Sequence, residues 1–198
     1  MSKFVRAGGV ALALSILGTG CAAATSSGPL PPRSGSAPPE QTPAVIAASA
    51  ACAGGSWRAV PVSVTHSVGV PPVPVITGVR TARHPECGYD RMVIDVTGSM
   101  PSYSVRYVSR VTADASGRAI ALPGQRFLLI TLRSAQAHSA SGAPTVTRQL
   151  QVTGYSGLLG WVLAGDFEGV VTIAAALPSA ASIRTGELPG HLYVDVRE

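Results

Sequence analysis

The chain has 198 residues, of which 46% are hydrophobic and only 13% charged; that is enough for one ordinary core with a tail left over. Its 16 prolines and 22 glycines argue against a mostly helical protein. The formal charge of +5 does not make it a nucleic-acid binder, since Lys3 is the only lysine and the arginines are scattered among acids, whereas a phosphate-tracking surface clusters its cations with interleaved aromatics.

Residues 1–20 read as an export signal peptide. Lys3 and Arg6 form a basic start, and "AGGVALALSILGTG" supplies the apolar stretch. At about a dozen residues it suits a signal peptide and is too short to cross ~30 Å of hydrocarbon as a helix. "LGTGC" then resembles a bacterial lipobox, with Gly18, Thr19 and Gly20 directly before Cys21. The usual pattern sets Leu three residues before the cysteine, whereas Leu17 is four before it. Thioether and amide acylation, palmitate included, would give Cys21 more than one chain, and a single chain holds a membrane only marginally. The expectation is a lipid anchor at Cys21 on the extracytoplasmic face of the cell membrane. The alternative is a secreted protein cleaved near Ala22 to Ala24, with Cys21 lost.

Residues 21–56 read as a disordered tether rich in Pro, Ala and Ser, too poor in apolar surface to offset the entropy of ordering. Its prolines favour extended polyproline II, which spaces a domain away from a membrane.

Residues 57–198 change to short alternating runs, the signature of an all-β domain. "RAVPVSVTH" places Val60, Val62 and Val64 on one face, and Pro61 points to an edge strand. "PVITGVRTARH", "YDRMVIDVTG" and "YSVRYVSRVT" follow with period-two apolar residues. "RAIAL", "RFLLITLR", "GWVLAG", "GVVTIAAAL" and "HLYVDVR" complete the predicted strands. In the turn "DASGR", Asp114 can bond the backbone two residues on and Gly117 can take positive φ. "RSAQAH" is the one candidate helix, a turn or two with Ser134 as N-cap. Short antiparallel strands at this spacing imply a β-sandwich or a barrel, and a small β-sandwich is the fold expected.

Once Cys21 is set aside, Cys52 and Cys87 are the only pair, and in an exported protein such a pair is a disulfide. It would pin the end of the tether to the loop "RHPECGYDR", with a stabilisation of about 3–4 kcal/mol in the chain-entropy model. A zinc site at His84 and Cys87 lacks further ligands at suitable spacing. No metal and no cofactor is expected.

The motifs of common chemistries are missing. There is no G-x-S-x-G, H-E-x-x-H, P-loop or G-x-G-x-x-G. In "GDFEG", Asp166 and Glu168 would share a face if they lay on a strand, as a glycosidase pair needs. A glycine-flanked hairpin is the simpler account, with Asp166 bonding backbone amides and Phe167 in the core. His138 is expected to satisfy loop backbone. Arg80, Arg83, Tyr89 and Arg91 form the remaining group: arginine forks match carboxylates and sugar hydroxyls, and a tyrosine offers a stacking face. The competing account is a structural Asp90–Arg ion pair at a sandwich corner.

The stretch "VITGVRTARHPECGYDRMVIDVTG" resembles the opening of AMIN-type domains. The ordered pieces "GYDR", "YSVRYV", "DASGRAIALPG", "SAQAH", "LAGDFEGVVTI" and "LYVDV" are similar to the AMIN-like domain of bacterial envelope lipoproteins. AMIN domains are small β-sandwiches beside cell-wall amidases, which they bring to peptidoglycan. Here no catalytic domain accompanies the motif set. The resemblance therefore implies a non-enzymatic envelope protein that binds peptidoglycan or other wall components, with an envelope scaffold docking a partner protein as the alternative.

Overall fold

The alternation in "YDRMVIDVTG" becomes strand β3 (Tyr89–Thr97), which buries Met92, Ile94 and Val96 on one face and turns Arg91, Val93 and Asp95 to the other. The computed structural model of the chain describes residues 52, 54–58 and 61–198. The expected signal peptide, Cys21 and nearly all of the expected tether lie outside these residues.

Along the chain β1 (Val62–Val64) precedes β2 (Val75–His84), a 3₁₀ turn (Pro85–Cys87) and β3. Then come β4 (Ser102–Val108), β5 (Arg126–Arg133) and β6 (Gln151–Val152). β7 (Gly160–Phe167), β8 (Val170–Leu177), β9 (Ile183–Leu188) and β10 (His191–Arg197) complete the set. They form a six-stranded sheet in the order β1-β4-β5-β8-β7-β6 and a four-stranded sheet in the order β2-β3-β10-β9. All pairings are antiparallel. β1 lies at an edge, as Pro61 implies.

The two sheets face each other across one core, so the domain is a β-sandwich. Ile76, Met92, Ile94, Leu192 and Val194 meet Val105, Leu128, Ile130, Leu132 and Ile173 there. β8 is buried almost throughout, which explains its continuous apolar run "VVTIAAAL". Its second face is covered because the excursion between β4 and β5 folds over the outside of the sheet. Val111, Val162, Ala164 and Ala174 form a smaller core there, with Ile120, Leu122 and Leu129 against it.

Four local expectations change. "RSAQAH" is extended, not helical. Ala135 and Ala137 are buried, Gln136 bridges Val75 in parallel, and the backbone bonds to Gly169 and Pro74. Apolar residues two apart suit an extended chain, and six residues cannot sustain a helix without tertiary support. "RAIAL" makes only a single bridge, Ala119 to Thr112. Asp114 turns away from its own backbone to accept from the Thr172 hydroxyl at 2.7 Å, while Gly117 does take φ 64°. Phe167 is 58% exposed rather than in the core; the hairpin turns on Glu168 (φ 49°) and Gly169 (φ 73°), a two-residue loop that matches strand twist. β9, "IRTGEL", escaped the sequence reading because its outward row holds Arg184 and Gly186 instead of apolar residues.

Candidate functional site

Register decides which of the sequence-selected residues can act together. Arg80 lies opposite Val93 and Ala82 opposite Arg91, so Arg80 and Arg91 share the outer face of the four-stranded sheet. Arg83 lies opposite Asp90 and faces the other way, at the end of the sandwich. The arginines that looked like one row are therefore divided between two faces.

On the outer face, Arg91, Asp195 and Arg184 stand abreast on β3, β10 and β9. Arg91 donates to both Asp195 oxygens at 2.6 and 2.9 Å, and Arg184 Nε donates to Oδ2 at 2.7 Å. Asp195 is fully buried and Arg184 is 2% exposed. Aromatic rings close over this row. The Arg184 guanidinium sits 4.7 Å from the Trp57 ring centre and 4.9 Å from that of Tyr89. Arg91 lies 4.4 Å from the Tyr193 ring centre. The hydrogen bond that Arg91 donates to Asp195 holds its guanidinium more firmly protonated than usual, against the opposing effect of burial.

Tyr89 does not offer the stacking face expected of it. It is 2% exposed, stacked on His84 at 4.7 Å and bordered by Trp57 at 5.9 Å. The residue beneath is packed by its own chain. Cys52 is bonded to Cys87, as the cysteine count implies, and this ties the segment bearing Trp57 to the sheet. Arg184 also donates to the Cys52 carbonyl at 3.4 Å.

Arg80 remains accessible, with 61% of its side chain exposed, though it grips Asp95 through Nε and Nη2 at 2.8 and 2.7 Å. His191 Nδ1 lies 2.8 Å from the same carboxylate. Arg80 chiefly, helped by His191, holds the Asp95 carboxyl below its ordinary range despite partial burial.

At the end of the sandwich Arg83 is 46% exposed, with Nε 3.8 Å from Asp90 and Nη2 3.5 Å from Glu198. Asp90 is fully buried and accepts from the Gly157 and Leu158 amides at 2.8 and 2.9 Å. Burial pushes the Asp90 carboxyl up, against those two amides, and Glu198 adds to the rise. The corner ion pair expected between Asp90 and an arginine therefore exists, with Arg83 as the partner.

Asp166 and Glu168 do not form a carboxylate pair. Asp166 accepts from the Ala137 amide at 3.0 Å and lies 2.7 Å from His138 Nδ1, while Glu168 is in the turn. His138 is thus oriented by Asp166 rather than by loop backbone. Among the described residues no three His, Cys, Asp or Glu side chains converge as a metal centre, and no helix is long and apolar enough to cross a membrane.

Two arginines that the sequence reading passed over complete the picture. Arg106 and Arg110 line a cleft beside β4. Their even spacing in "YSVRYVSRVT" puts both on the polar side of the alternation, a signal that was present in the sequence.

A family model described as the AMIN-like domain matches residues 74–198. That span runs from the start of β2 through β10 and contains every strand of the four-stranded sheet; β1 lies before it. Neither the curated proteins nor the solved structures yield a match to the chain. With both sheets of the sandwich drawn almost wholly from the matched span, and that span making up most of the chain, this protein belongs to the AMIN-like domain family.

Proposed function

We propose that the protein is a non-enzymatic, lipid-anchored module of the cell envelope whose domain binds peptidoglycan. The AMIN-like match over residues 74–198 carries this reading, because AMIN-type domains are wall-directed. The Cys52–Cys87 disulfide supports an oxidising, extracytoplasmic location. Arg80 and Arg83 keep exposed guanidinium groups that suit the carboxylates of wall peptides. Arg91 and Tyr89 contribute by holding the sheet that presents them.

Full-length protein in mild detergent should sediment with purified peptidoglycan. Arg80→Ala/Arg83→Ala should lower the bound fraction several-fold. Asp90 is fully buried and keeps the Gly157 and Leu158 amides once Arg83 is gone, so thermal denaturation is run beside binding to establish that the double variant is folded. A folded double variant that sediments like the wild type contradicts the contact assignment. The anchor has its own check. Cells fed an alkyne fatty acid should label the wild type and not Cys21→Ser, whereas equal labelling of both contradicts lipidation at Cys21.

A further inference from the structure

Carboxylates face four arginines of the four-stranded sheet, whose fifth, Arg197, lies over the Trp57 ring, and the six-stranded sheet carries cations that are not neutralised. Arg80, Arg83, Arg91 and Arg184 each face an aspartate. Among the described residues Arg106 and Arg110 have no carboxylate partner. Both line one cleft of about 590 Å³ with Ser109, Thr112, Asp114 and Leu129. That volume falls within the ~300–1,000 Å³ typical of small-molecule sites.

The cleft is preformed. Arg106 projects from β4 opposite Leu129 of β5, and the segment after β4 supplies the facing wall. That wall is fixed at three points. Val111 is 1% exposed in the smaller core, Thr112 bridges Ala119, and Asp114 is held by Thr172. The Asp114 side chain lies directly over Gly165, where any Cβ would collide with it. A glycine inside a strand at such a point marks a close approach that fixes the neighbour.

We propose that this cleft binds a short peptide bearing two carboxylates and one ammonium group. It rests on the peptidoglycan reading in that the stem peptides of the wall carry such groups. Arg106 and Arg110 offer planar forks, each able to take a carboxylate with two hydrogen bonds. Asp114 supplies the counter-charge for the ammonium, and Leu129 gives the aliphatic part an apolar floor. Two cations and one anion complement a ligand with the opposite balance. The carboxylate in the wall disfavours a phosphate polymer, which would meet Asp114 with like charge.

The probe is N-acetyl-alanyl-glutamyl-lysine with a free C-terminus, titrated calorimetrically into the full-length protein in detergent. Saturable binding is expected, weakened by capping the C-terminus as an amide and also by acetylating the lysine amine. Arg106→Ala/Arg110→Ala should weaken binding at least about tenfold with Tm unchanged, because it removes charge-assisted contacts and no ion pair of the fold. Arg106→Lys/Arg110→Lys should fall between, since charge is kept and the fork lost. No saturable binding, an unchanged affinity in the alanine double variant, or inorganic phosphate competing as well as the peptide would each overturn the proposal. Sedimentation with peptidoglycan separates it from the wider reading. Wild-type sedimentation without probe binding removes the cleft alone, and probe binding without sedimentation removes the wall reading alone.

Discussion

Asp195→Ala is expected to destabilise the domain by about 3–5 kcal/mol, the cost of removing one partner from a buried ion pair. The wild-type carboxylate is fully buried and answers two guanidinium groups at once. Its removal leaves Arg184, only 2% exposed, with the Cys52 carbonyl and two ring faces for company. A desolvated cation–π contact is worth about 2 kcal/mol, too little to replace the pair. Arg91 is better placed, because part of its side chain reaches water. Since whole domains are stable by about 5–15 kcal/mol, this one substitution takes a large share. Asp195→Asn should cost less, because the amide oxygen still accepts from one arginine. Thermal denaturation of the two variants checks the order. A Tm for Asp195→Ala within about 2 °C of wild type would mean a loss of no more than about 1 kcal/mol, and would contradict a buried triad that depends on its carboxylate.

Loss of the disulfide should cost nearly as much. Cys52 and Cys87 are 35 residues apart in sequence, and closing such a loop stabilises by about 3–4 kcal/mol in the chain-entropy model. The bond also holds the segment that lays Trp57 against Arg184 and Arg197, at 4.7 and 4.9 Å. Its loss therefore opens the outer face of the four-stranded sheet to water at the buried row. Cys52→Ala/Cys87→Ala should lower Tm markedly and shift Trp57 fluorescence to the red. Trp161, 5% exposed in the core, should stay as it is while the domain remains folded. A variant with wild-type Tm and an unshifted spectrum would show that the segment holds its place without the bond.

These two sites also mark how far the sequence could be read. The disulfide was legible because, of three cysteines, setting Cys21 aside as the expected anchor leaves one pairing. The sandwich was legible because Met92, Ile94 and Val96, or Leu128, Ile130 and Leu132, alternate with outward residues in strand fashion. The ion-pair row was not. Arg91 and Asp195 are 104 positions apart, and nothing local says that β3 and β10 become neighbours in that register. The same blindness made Arg80, Arg83 and Arg91 look like one surface, when the odd spacing between Arg80 and Arg83 sends Arg83 to the opposite face. Tyr89 looked like a polar aromatic available for stacking because only the fold brings Trp57 and Arg184 over it. Asp114 was read for its nearest backbone, while the excursion that carries it folds back onto β8 and delivers it to Thr172. Short-range pattern thus gave the strands, and long-range register decided which charges were left over to bind anything.

Those leftover charges bear on the central claim, that the domain holds peptidoglycan through charge-assisted contacts. The most direct measurement is sedimentation of the full-length protein with purified peptidoglycan across a salt series. The account predicts binding at 0.1 M salt and release toward 1 M, as the screening length falls from ~10 Å to ~3 Å. A protein that stays in the supernatant at low salt would contradict wall binding and leave the docking of a partner protein as the function to pursue.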